Sequence, residues 1–68
     1  MRTFHLVRRE DVSGVSGVGT VAEGIQWSNG KVHLHWLGPI STFEEADGIA
    51  DIERLHGHAG KTVVEWVS

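Results

Sequence analysis

The stretch TVAEGIQWSNGKVHLHW, residues 20–36, decides the fold. Asn29-Gly30 is the preferred pair for a two-residue type I′ turn, because both of its central positions need positive φ. Apolar residues flank it on both sides, so the stretch reads as a β-hairpin. A two-residue turn pairs Ser28 with Lys31 and fixes the register. Trp27 then faces Val32, Ile25 faces Leu34 and Glu23 faces Trp36. Val21, Ile25, Trp27, Val32, Leu34 and Trp36 share one side, which is the expected core face. Ala22, Gly24, Gln26, His33 and His35 share the other, with Gly24 opposite His35 and leaving space beside its ring.

Working outward, TFHLVRR (3–9) alternates as a strand, with Phe4 and Leu6 on one face. EDVSGVSGVG, which repeats Val-Ser-Gly, reads as a flexible connection or wide turn. Its glycines match no phosphate-binding spacing. Gly38-Pro39 ends the second hairpin strand. Ser41 to Glu45 supports two readings. Thr42 and Glu45 have capping-box spacing, which would start a helix there. Gly48 interrupts that helix at about 1 kcal/mol relative to alanine. The alternative is a short strand to about Glu45, followed by a shorter helix capped by Asp47 or Gly48. IADIERLHG is helical in both cases, with Ile49, Ile52 and either Leu55 or His56 inward. Acidic residues lie early, Arg54 and His56 lie late, and Gly57 stands where a C′ glycine belongs. KTVVEWV closes the chain as a strand, with Val64 and Trp66 on one face.

The expected fold class is α+β: a small twisted antiparallel sheet of four to five strands, open or curled toward a barrel, packing one short helix in the order β-β-β-(β)-α-β. Residues 1–68 make a single small domain. The three tryptophans are placed on strands, where they supply much of the buried area.

Composition narrows the function. Nine acidic against six basic residues leave a net charge of -3, which disfavours a nucleic-acid partner. Glu44, Glu45, Asp47, Asp51 and Glu53 form an acidic cluster suited to a basic protein, although a solvated helix face is the commoner explanation. The chain has no cysteine, which excludes a disulfide or thiolate metal site. The polar N-terminus and short apolar runs give no signal peptide or membrane span, so the expectation is a cytoplasmic protein of the host cell.

HGHAGKT (56–62) suggests chemistry twice over. As a phosphate-binding loop it fails, because Leu55 stands where the loop's first glycine belongs and a helix precedes it. Gly57 as helix cap, Ala59-Gly60 as turn and Lys61-Thr62 as strand start account for it. Metal is the second suggestion. His33 and His35 lie two apart on one strand, and His56 or His58 could add a ligand. No carboxylate is spaced in sequence to complete such a site, and exposed or capping histidines are the norm. We therefore expect no metal and no cofactor. No serine sits in a nucleophile motif, and an enzyme is not expected. Trp27 and Trp36 on a core face are poor base-stacking platforms; an exposed sheet face would reverse that argument.

GVGTVAEGIQWSNGKVHLHWLG and IADIERLHGHAGKTVVEW together resemble a group of small proteins from actinobacterial phages, with similar sequences in haloarchaea and their viruses. The shared pattern is Gly-x-Val-Ala-x-Gly-hydrophobic-x-aromatic, an Asp/Asn-Gly turn, Trp-Leu-Gly, a short helix and His-Gly-His-x-Gly. His56 and His58 fall within it; His33 and His35 do not. The resemblance implies an extended segment after Ser41-Thr42 and names no catalytic residue. It implies a phage or prophage role in host takeover, defence evasion or lysogenic control. The expected function is accordingly a non-enzymatic protein-interaction module whose partner is a host or phage protein. Its contact surface is the acidic cluster or the polar hairpin face, which could also serve self-association. The alternative is a small nucleic-acid-binding regulator using Arg2, Arg8, Arg9 and Lys31.

Overall fold

The computed structural model describes residues 1–9, 18–57 and 59–68. The Val-Ser-Gly connection and His58 lie outside these residues. The elements are β1 (Arg2–Arg8), β2 (Gly19–Gln26), β3 (Val32–Trp36), β4 (Thr42–Ala46), α1 (Ile49–His56) and β5 (Thr62–Trp66). Residues 42–46 are thus a strand, and Gly48 caps the short helix. The strands form one antiparallel sheet in the order β4-β3-β2-β1-β5. It is open, with β4 and β5 as its two edges. These edge strands run in the same direction, so the chain must cross the sheet between them. Helix α1 lies within that crossing and covers one face only.

The covered face holds the core. Phe4, Leu6, Val21, Ala22, Val32, Leu34 and Ile52 are buried, and Trp36, Ala46, Ile49 and Val64 pack against them. The i, i+3 spacing of Ile49 and Ile52 puts both on the inward face of α1. His56, one turn beyond Ile52, follows them inward, while Leu55 points out at 63% exposure. Val21 and Ala22 are neighbours, yet both are buried. The register of β1 and β2 shifts between Leu6 and Val7, so β2 carries one extra residue there. Such a bulge lets consecutive side chains turn inward.

The hairpin forms, but in a different register from the one a two-residue turn imposes. Gln26 pairs with Val32, Ile25 with His33, Gly24 with Leu34 and Ala22 with Trp36. The loop holds three residues, Ser28 to Gly30. Trp27 N–H donates to Lys31 O at 2.8 Å, and Gly30 N–H to Trp27 O at 2.9 Å. Gly30 adopts φ +89°, the left-handed position that ends a three-residue hairpin loop. Asn29 Oδ1 accepts from Lys31 N–H at 3.0 Å and braces the turn. A one-residue slip exchanges the two faces of a strand. In β2 it sends Ile25 and Glu23 outward and brings Ala22 and Gly24 inward.

The physical reason lies on β1. Phe4 stands opposite Gly24, and a Cβ built on Gly24 would meet Phe4 Cζ at 2.2 Å. The Phe4 ring lies across the glycine, so position 24 belongs to the core. The tryptophans are corrected too, since none is buried. Trp27 is 42% exposed and Trp66 39% exposed. Trp66 packs edge-on against Phe4 at 5.5 Å between centroids, with the Arg2 guanidinium carbon 3.9 Å above its ring. Aliphatic side chains and one phenylalanine make the core.

Candidate functional site

Among the described residues nothing covers the face opposite α1, and strand alternation dictates what it carries. The register aligns Phe43, His35, Glu23, His5 and Glu65 in one row across all five strands. The next row runs Glu45, His33, Ile25 and Thr3. None of the strand residues on this face is lysine or arginine. The face is therefore a chequer of imidazoles and carboxylates around Ile25, with an aromatic residue at its β4 edge.

Two of the imidazoles on this face, His33 and His35, are hydrogen-bonded. Trp27 Nε1–H donates to His33 Nδ1 at 2.8 Å, and His33 Nε2 faces Glu45 Oε2 at 3.0 Å. An indole N–H can only donate, so His33 Nδ1 must accept. The ring proton then sits on Nε2 and is donated to Glu45. This hydrogen bond is the largest cause holding the Glu45 carboxyl below its ordinary value of 4.5, and the Lys31 charge acts in the same direction. His35 bonds Ser41 Oγ and stacks on Phe43, with 4.7 Å between centroids and 14° between planes. His5 Nε2 lies 3.8 Å from Glu23 Oε2. Phe43 is 78% exposed despite that stack. Between these groups lies a hollow of about 200 Å³, lined by Glu23, Ile25, His33, His35 and Phe43 and by Gly24 and Leu34.

The sequence-expected metal candidates separate. His33 and His35 are on the open face. His56 is on the covered one, where its Nε2 bonds both oxygens of Glu44 at 3.1 and 2.9 Å and its ring meets Trp36 edge-on. Among the described residues, no three histidine, aspartate or glutamate side chains are grouped to hold a metal ion. No carboxylate is spaced in sequence to meet these histidines, and the structure supplies two. Adjacent residues of β4 point to opposite faces, so Glu44 reaches His56 through the covered side and Glu45 reaches His33 across the open one. The signal was the Glu-Glu pair itself, visible once residues 42–46 are a strand.

The acidic cluster is likewise divided. Glu44 is turned toward the helix. Asp47 lies 3.9 Å from Lys31, and Asp51 lies 3.8 Å from Arg54. Glu45, Asp47 and Asp51 do line a second hollow with Arg54 and Leu55. The basic residues do not gather into a phosphate track. Arg8 is buried, Arg2 lies over Trp66 and Lys31 faces Asp47.

Fold and site thus define a small α+β protein with a helix-covered core and one bare, acid-and-imidazole sheet face. The chain belongs to the Acb5 phage protein family, whose model matches residues 1–68. No curated protein and no solved structure matches it. It is a phage-type protein, as the sequence resemblance implied. No helix among the described residues is long and apolar enough to cross a membrane.

Proposed function

We propose that this protein is a non-enzymatic interaction module of the host-cell cytoplasm that presents the open face of its sheet to a host or phage protein. One observation carries the reading: among the described residues the five strands are covered by a helix on one side only, and the other side carries Phe43 at 78% exposure, with Ile25 across the same hollow and Trp27 at its border. Contiguous apolar surface rimmed by polar groups marks association surfaces. Aromatic anchors within a polar rim are the usual energetic centre of such a contact.

The uncovered sheet also bears on the nucleic-acid alternative, since open sheets with exposed aromatics stack bases. Here Glu23, Glu45 and Glu65 occupy the same face and would repel phosphates, which favours a protein partner. The test is a photo-crosslinking residue placed at position 43, on the open face, or at position 55, on the outer surface of α1, in phage-infected cells. A protein adduct from position 43 that is absent from position 55 supports the reading. Adducts from position 55 alone overturn it, and nucleic acid at position 43 replaces it with the alternative.

A further inference from the structure

The hollow on the open face has a particular chemistry. Its lining is largely apolar and comes from β2, β3 and β4, with Ile25 contributed by β2. The stacked Phe43 and His35 rings border one side. The Glu23 carboxylate borders another; its side chain is 56% exposed, and its contact with His5 is a loose 3.8 Å. Glu45 adds a second carboxylate one row away. Within the strands themselves no lysine or arginine shares the face, and Lys31, just before β3, acts on Glu45 rather than Glu23.

We infer that this hollow is a seat for an arginine side chain of a basic partner protein, an inference that rests on the open face being the contact surface. A guanidinium is planar and weakly hydrated, stacks on aromatic rings and bonds a carboxylate with two parallel N–H groups. Its methylene stem covers apolar surface such as Ile25. A lysine ammonium is compact and strongly hydrated, so the apolar floor and the rings give it less. The molecule already makes one contact of this type, where Arg2 lies 3.9 Å over Trp66.

The experiment is an amide chemical-shift titration of the intact chain with tetra-arginine, tetra-lysine and tetra-glutamate peptides. Tetra-arginine is expected to shift Glu23, Ile25, His35 and Phe43, and to bind about two- to fivefold tighter than tetra-lysine, the scale of an exposed cation–π contact. Glu23→Gln and Phe43→Ala, each with unchanged melting, are expected to remove that preference. Equal binding of the two basic peptides overturns the inference. So do shifts confined to Asp47, Asp51 and Glu53, or no shifts at all. If the peptides fail while position 43 still crosslinks a protein, the arginine seat is wrong and the interaction face stands. If position 43 crosslinks nothing and position 55 does, the face itself is wrong.

Discussion

The two faces of this sheet are built from the same strands and obey opposite rules. On the covered face Phe4, Leu6, Val32, Leu34 and Ile52 are at most 1% exposed, and shape decides what fits. On the open face His33, His35, Glu45 and Phe43 are held by directed contacts, and no described residue covers them. A small domain has surplus apolar area for only one such core. The other face is free to carry groups selected for a partner.

The contrast should be sharpest at Phe4. Phe4→Ala is expected to cost about 3–5 kcal/mol. That is comparable with the whole stability of a chain this size, about 3–10 kcal/mol. Urea unfolding monitored by circular dichroism should find the variant mostly unfolded, and a loss below about 1 kcal/mol would break the claim that this face alone is the core. Gly24→Ala comes next, at about 1–3 kcal/mol from overpacking against the Phe4 ring. The double variant Phe4→Leu with Gly24→Ala should lose less than the two single losses summed, because the clash is shared. Additive losses would show that ring and glycine are independent.

Gly30→Ala is expected to cost about 1–2 kcal/mol, since alanine resists the left-handed backbone there. Cross-strand contacts should still join Gln26 to Val32. Phe43→Ala lies lower still, within about 0.5 kcal/mol on folding, while weakening capture of the partner. A stability loss as large as that at Phe4 would erase the difference between the faces.

The smallest effect is expected with acid. Glu45 carries it. Its folded value is depressed, so its contact stabilises above the ordinary 4.5 and is lost as pH falls through the lower folded value. Glu45→Gln should therefore flatten the stability profile only below pH 4.5.

Much of the covered face was legible from periodicity. Phe4 and Leu6, the helix from Ile49 to His56, and Val64 with Trp66 follow from spacings of two or of three to four. The hairpin was legible as well, but not its register. Asn29-Gly30 satisfies a two-residue turn and also ends a three-residue one, because a left-handed glycine suits both. What separates them is Phe4, more than twenty residues away, whose ring needs the space that Gly24 leaves. No pattern within the hairpin contains that requirement. The site was hidden for the same reason, since the slip that moves Gly24 inward is what carries Glu23 and Ile25 out beside the histidines. The phage character was carried by the motif string and is matched by the family assignment.

The Phe4 ring lying flat over Gly24 has a consequence for descent. Every amino acid one base away from a glycine codon carries a Cβ, and so meets the ring. As far as folding is concerned, lineages of this protein can vary the open-face row while this position stays frozen. A relative that lacks glycine there should show a smaller residue in place of Phe4, the two having changed together.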